Sequence, residues 1–209
     1  MSYYRKTFFL LLGITIFLGA CFNLKQPSHK IEFYTLEYDP PQLTGLKPLP
    51  FVIRVERFSV APEYNSSRII YRDKSFTRDT YVYYRWRANP ADLVTSFLSR
   101  DAQQSGLFKA VLPYDSRFPS SFLLEGSVDE FFECDTEERW EAVLSVSITF
   151  MKKNEPGSNK KILFQKHYHA REPCDRKNPR ALAEAMSRAM SAVSKEIIES
   201  LYTCLKKKR

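Results

Sequence analysis

Glycine is scarce in this chain, with six residues in 209. None of them builds a phosphate cradle: neither G-x-G-x-x-G nor a P-loop occurs, and G-x-S-x-G is missing as well. Nucleotide sites and nucleophile elbows of those kinds are excluded. Histidine occurs three times, at His29, His167 and His169, and the four cysteines form no C-x-x-C, so a redox dithiol or zinc knuckle has no support. Long hydrophobic runs are lacking too. The longest, Thr7 to Phe22, is about 16 residues, short of the roughly 20 that a membrane-crossing helix needs.

A strong charge of one sign is also absent once its position is considered. The net charge is +8, but Arg5 and Lys6 sit before the apolar run and Lys206 to Arg209 end the chain, which leaves +2 for the body. No basic stripe interleaved with stacking aromatics stands out, so a nucleic-acid partner is not expected.

What is present begins with that short run. Arg5 and Lys6 precede an uncharged stretch that stops at Leu18-Gly19-Ala20-Cys21, and the chain turns polar at Asn23. A positive start, a short apolar core and small residues before a cut are the grammar of a secretory signal peptide. The step resembles a bacterial lipobox, with cleavage between Ala20 and Cys21 and lipid on the Cys21 thiol. Acyl chains then replace the removed helix as anchor. The plainer alternative is an uncleaved helix with an incidental cysteine. The expected organisation is a signal peptide over 1–20, a lipidated tether over 21–32 and one domain over 33–206, long enough for a real core.

Periodicity supplies the elements. Ile31–Tyr38 alternates and favours a strand, and a proline-rich stretch from Asp39 to Pro50 reads as extended. Further strands are expected over 51–58, 67–72 and 80–87, the last two closed as a hairpin by the polar stretch 73–79. Asn89-Pro90-Ala91-Asp92 combines an N-cap, a proline at the first helical position and an acid in the first turn, and Ser105-Gly106 ends that helix. A short strand over 108–112 and three long ones over 122–133, 140–150 and 161–170 follow, with a turn at 155–159. In the first long strand Leu124, Val128 and Phe132 are expected to share a face. In the second, Trp140, Ala142, Leu144, Val146, Ile148 and Phe150 alternate with Glu141, Ser145, Ser147 and Thr149, the mark of a half-buried antiparallel strand. Asn178-Pro179 opens a last helix whose stripe runs Leu182, Met186, Ala189, Val193, Ile197, Leu201 and Cys204. The expected fold class is α+β, a two-layer arrangement of a mostly antiparallel sheet with both helices on one face. A parallel pairing through the 90–105 helix is compatible with it.

Candidate chemistry is thin. His167 and His169 share a strand face, but no acid or cysteine is spaced nearby in sequence, so an exposed strand face is expected rather than a metal site. Asp129-Glu130, Glu133 and Asp135 to Glu138 read as solvated charge at a hairpin end. No catalytic, cofactor or metal residue is nominated. The run Tyr81-Val82-Tyr83-Tyr84-Arg85-Trp86-Arg87 is richer, since Tyr, Trp and Arg dominate interface hot spots. One face of it must go to the core. Tyr84, Arg85, Trp86 and Arg87 are the candidate partner-binding residues, with Tyr84 and Trp86 on one side and Arg85 and Arg87 on the other.

Cys134, Cys174 and Cys204 remain in a compartment that favours disulfides. If the three long strands form a meander, Cys134 and Cys174 leave the sheet at the same end. Two strand spacings, roughly 9.5 Å, exceed the Cα separation of about 7 Å that a disulfide tolerates. Folding back of Glu172-Pro173 is expected to close the difference. The expectation is a Cys134–Cys174 bond, with Cys204 free and buried.

Taken in order, these residues resemble the ABC-type transport auxiliary lipoproteins, which include the PqiC-type proteins. The resemblance rests on Phe33-Tyr34-Thr35-Leu36, Ile69-Ile70-Tyr71-Arg72, Tyr84-Arg85-Trp86 before Asn89-Pro90-Ala91-Asp92-Leu93, and Ser105-Gly106-Leu107-Phe108. It continues with Leu123-Leu124-Glu125-Gly126, Phe131-Phe132, Trp140-Glu141-Ala142 and Leu182-Ala183-Glu184-Ala185-Met186-Ser187. It implies a non-enzymatic outer-membrane lipoprotein facing the periplasm, held in the membrane through Cys21. Its implied partners are an MCE-domain substrate-binding protein, which it docks, and the permease and ATPase of an ABC transporter moving lipid. Self-association is compatible with that role. The family pattern does not require Cys134 and Cys174. A rival from another class is a structural or regulatory envelope lipoprotein that activates a cell-wall enzyme, and a third is a small lipid carrier.

Cys21→Ser is expected to abolish palmitate labelling and to leave full-length precursor on a gel. Normal processing and labelling of that variant would refute lipidation at this position.

Overall fold

The computed structural model describes residues 30–73, 76–153 and 161–208. The signal peptide, the Ala20–Cys21 step, all of the tether before Lys30, the 155–159 turn and Arg209 lie outside the described residues. The chain from Ile31 onward makes one compact unit.

Its strands are β1 (Glu32–Tyr34), β2 (Leu49–Val55), β3 (Ser59–Val60), β4 (Arg68–Arg72), β5 (Asp79–Trp86), β6 (Phe108–Leu112), β7 (Phe122–Asp135), β8 (Trp140–Lys152) and β9 (Lys161–Pro173). A 3-10 turn (Pro62–Tyr64) follows β3, and the helices are α1 (Pro90–Gln104) and α2 (Pro179–Lys206). Both helices start as their sequences dictate. The Asn89 side chain accepts from the Ala91 N–H at 2.9 Å and the Asn178 side chain from the Ala181 N–H at 2.9 Å, with proline next in each case. Gly106 leaves α1 with φ 64°, a left-handed conformation that glycine adopts without a side-chain penalty.

All strands join one sheet, and β7 is its axis. One edge of β7 pairs antiparallel with β8 along its whole length, and β8 pairs antiparallel with β9. The other edge is shared in series by β2, β3 and β4, all parallel to it. β6 adds beside β2 and β1 beside β5, again parallel, while β4 and β5 form the antiparallel hairpin. The sheet is therefore mixed, not mostly antiparallel. The short N-terminal strands reach β7 through crossovers rather than through tight turns, and a crossover makes neighbours parallel. β2 and β6 are linked through α1, the parallel pairing anticipated from sequence. β9 has no second strand partner among the described residues.

The helices pack on each other and on the sheet, and Leu182, Met186, Ala189, Val193, Ile197 and Leu201 are all buried. Leu205, not Cys204, closes the stripe, and Cys204 is half-exposed on its flank. The proline-rich segment after β1 is strapped across both helices. The Glu37 N–H donates to Ser187 Oγ at 2.9 Å, the Tyr38 hydroxyl to the buried Asp101 carboxylate at 2.7 Å, and the Tyr202 hydroxyl to the Lys47 carbonyl at 3.0 Å.

Of the four register shifts in the sheet, those in β7 and β9 decide which of their side chains share a face. β7 slips between Val128 and Glu130, so Phe131 rather than Phe132 joins Val128 on the helix side. Phe131 meets Trp86 edge-on at 5.2 Å, whereas Phe132 points to the other face and stacks on Tyr64 from the 3-10 turn. β9 slips at Leu163, since Phe150 opposes Phe164 while Met151 opposes Ile162.

The same registers correct the disulfide expectation. Cys134 opposes Glu141, which opposes Pro173. Cys174 is one residue farther along, so strand alternation sends it to the opposite face of the sheet from Cys134, with β8 between them. Cys134, Cys174 and Cys204 are all free thiols.

Gly126 lies on the helix side of β7, where a Cβ would land on the buried Phe58 ring. Gly126→Ala is expected to cost about 1–3 kcal/mol, the usual penalty for overpacking, read as a lower denaturation midpoint. Gly126→Ala with Phe58→Leu should recover part of that loss, and no recovery would mean that the ring is not the obstacle.

Candidate docking edge and polar sheet face

The candidate partner-binding run divides as alternation requires, and one of its members is lost to the core. Trp86 is 1 % exposed against Phe131. Tyr84 is half-buried on the same side, edge-on to Tyr34 at 6.1 Å and Tyr81 at 5.7 Å. Trp86 seals the core on the helix side of β5. Arg85 and Arg87 face the other way.

In register, Arg85 stands opposite Phe33 of β1 on one side and Arg68 of β4 on the other. Phe33 is 53 % exposed with the Arg87 guanidinium 5.8 Å from its ring centre. Among the described residues, the buried Arg85 Nε has no hydrogen-bond partner. Farther along this face, the Arg72 and Arg78 guanidinium groups lie 4.9 and 5.4 Å from the Phe132 ring centre. Five arginines thus gather on the outer side of β4–β5, and Val82 and Tyr83 are exposed beside them. Arg68 and Phe33 were missing from the sequence reading because only strand pairing brings them to Arg85. The exposed Phe33 in the quoted Phe-Tyr-Thr-Leu run was the available signal.

A second cluster covers the outer face of β7–β8–β9. The β7 bulge turns the consecutive acids Asp129 and Glu130 to this face, where sequence reasoning found no partner for the histidines. Ser145 Oγ donates to Glu130 at 2.9 Å and contacts His169 Nδ1 at 2.8 Å, and Ser147 Oγ donates to Asp129 at 2.5 Å and contacts His167 Nδ1 at 3.1 Å. Ser127 also donates to Asp129, and Arg171 contacts His169 and pairs with Glu141. The acids are held in a network, not simply solvated. The imidazoles also reach the carboxylates directly, His167 Nδ1 at 3.4 Å from Asp129 and His169 Nδ1 at 3.5 Å from Glu130, and His167 Nε2 lies 3.4 Å from Ser145 Oγ. Serine, imidazole and carboxylate thus contact one another pairwise across the three strands. Among the described residues, no three His, Cys, Asp or Glu side chains are grouped closely enough to hold a metal ion.

Glu133 was also expected in solvent, yet it is 1 % exposed on the helix side of β7. The Trp140 indole N–H and the Tyr81 hydroxyl both donate to its carboxyl group. Burial raises its pKa, and these two hydrogen bonds oppose the rise only in part. Nearby Cys174 has its thiol pushed up to about 12, first by burial and then by Glu133, so it is a poor nucleophile.

The sequence matches a family model described as the ABC-type transport auxiliary lipoprotein component over residues 34–198. No functionally curated protein matches it. Among solved structures, protein XCC0632 from Xanthomonas campestris is similar, at 16% identity and a TM-score of 0.76, covering 85% of this chain and 98% of that one. An uncharacterized protein aligns at 12% identity and a TM-score of 0.61, covering 82% and 99%. The hypothetical protein CT253 from Chlamydia trachomatis aligns at 10% identity and a TM-score of 0.50, covering 74% and 96%. At these identities the likeness is one of fold. No helix among the described residues is long and apolar enough to cross a membrane.

Glu133 yields a pH prediction. Its folded pKa lies above the ordinary 4.5, so its contribution to stability is complete below that value and is lost as pH rises through the folded one. Glu133→Gln cannot titrate. The stability of the variant relative to the native chain should therefore increase as pH rises from about 4. Denaturant melts across that range test it, and parallel pH profiles for the two proteins would refute it.

Proposed function

The chain belongs to the ABC-type transport auxiliary lipoprotein family, and from that premise we propose that it is a non-enzymatic, lipid-anchored dock in an ABC-type intermembrane transport system. In this reading Cys21 holds it in the outer membrane facing the periplasm. The domain receives an MCE-domain substrate-binding protein that works with the permease and ATPase, and the cargo is lipid.

The observation that carries the docking role is the outer strip of Phe33, Arg68, Arg85 and Arg87. It combines an exposed aromatic ring with guanidinium groups, including the buried Arg85 Nε that lacks an acceptor among the described residues. Arginine and aromatic anchors are the side chains that most often carry binding energy. Such a strip suits a partner that presents carboxylates, which guanidinium groups bind with two parallel hydrogen bonds. The strip also begins at β1, so the docking surface starts where the tether ends.

Arg85→Ala with Arg87→Ala is expected to weaken capture of the MCE-domain partner by about tenfold or more, as loss of hot-spot arginines does, with little change in melting temperature. Trp86→Ala is the contrasting variant and should lower stability by about 3–5 kcal/mol. Undiminished capture by the double arginine variant would refute the assignment of this strip.

A further inference from the structure

We infer that the groove between the end of α2 and the start of β9 binds a single-chain anionic amphiphile, its hydrocarbon on Leu163 and Phe164 and its headgroup at Lys207 and Lys208. The groove has a volume of about 740 Å³ and is largely open to solvent. That volume lies within the roughly 300–1,000 Å³ typical of small-molecule clefts.

Its floor exists because of the bulge in β9. An unbroken strand would send Leu163 and Phe164 to opposite faces. The pairing slip at Leu163 lets both line the groove, half-buried, with Phe164 resting on Phe150 at 5.6 Å. Re-aiming of side chains is what a bulge does at a sheet edge. The facing wall comes from one side of α2, where Ser200, Thr203 and Cys204 recur at helical spacing, and Lys207 and Lys208 follow just past its end.

Charge gives the groove a direction. Glu196 and Glu199 line the end away from the helix terminus, and Lys166 between them and the floor donates to Ser200 at 3.2 Å. Lys207 and Lys208 stand at the terminus, and among the described residues neither has a carboxylate partner. A hydrocarbon floor beside unpaired ammonium groups matches a carboxylate or phosphate carried on one acyl chain. The inference does not use the docking strip, and either can fail without the other.

Cys204 lies in the groove and serves as the reporter. The full chain in phosphatidylcholine nanodiscs is alkylated with iodoacetamide at alkaline pH, and Cys204 and Cys174 are followed separately by peptide mapping. Palmitate, lysophosphatidylglycerol and inorganic phosphate are the added probes. Palmitate or lysophosphatidylglycerol should slow alkylation of Cys204 by about fivefold or more, as filling of most sites requires, and leave Cys174 unchanged. Lys207→Glu with Lys208→Glu should remove the protection. An unchanged Cys204 rate, or protection that survives the double substitution, would overturn the inference. Equal protection by phosphate alone would replace it with a plain anion site. Equal protection in phosphatidylglycerol nanodiscs without added amphiphile would replace it with contact at a membrane surface.

Discussion

The backbone hydrogen bonding of β7 is the constraint on which the other elements depend. Fourteen residues of one strand offer two edges. β8 occupies one from end to end, and β2, β3 and β4 take successive stretches of the other. None of those three short strands pairs with another of them, so each is held in place by its own stretch of β7. Pairing with β7 fixes where β2 delivers β6, where β4 delivers β5 and β1, and where α1 crosses. β2, β3 and β4 follow one another along that edge in the direction of β7, so the chain crosses over only after β4, through β5 and α1, before β6 and β7.

Within that frame, the two bulges separate function-bearing surface from core. In β7 the extra residue lets Asp129 and Glu130 both reach the outer face while Phe131 keeps Trp86 company inside. In β9 it gives a polar edge strand two neighbouring apolar side chains in one groove. Neither surface would exist on a regular strand of the same composition. The outer face of the sheet consequently carries arginine with aromatic on β4–β5, reaching the Tyr64–Phe132 stack near the end of β7, and a serine–histidine–carboxylate network on β7–β9.

Much of this was legible in the amino-acid order. The Asn-Pro starts of both helices, the alternation of β8 and the stripe of α2 are local signals, and local hydrogen bonds and burial enforce them directly. The β4–β5 hairpin and the short β6 were equally visible. What local pattern does not contain is the partner of each strand. The sheet was expected mostly antiparallel because β7, β8 and β9 follow one another through short connections, whereas β2, β3 and β4 return to β7 from far away in sequence. Bulges leave no mark in composition, so Phe132 was placed on the wrong face, the histidines were judged to lack acids, and Cys134 and Cys174 were paired across a sheet that separates them. The proposed docking strip was half visible for the same reason. Arg85 and Arg87 announce themselves in one run, but Arg68 and Phe33 join them only through pairing, and Trp86 leaves because the core needs it.

β9 ends the sheet with a full row of main-chain donors and acceptors and no second strand among the described residues to receive them. Such a row is a template on which another chain can crystallise as a sheet, and long flat edges of this kind are where soluble proteins begin to aggregate. Here the edge is neither flat nor neutral. The slip at Leu163 breaks its regular spacing, and Lys161, Lys166 and Arg171 place charge along it. The irregularity that opens a groove on one side of β9 thus also works against edge-to-edge pairing with a second chain.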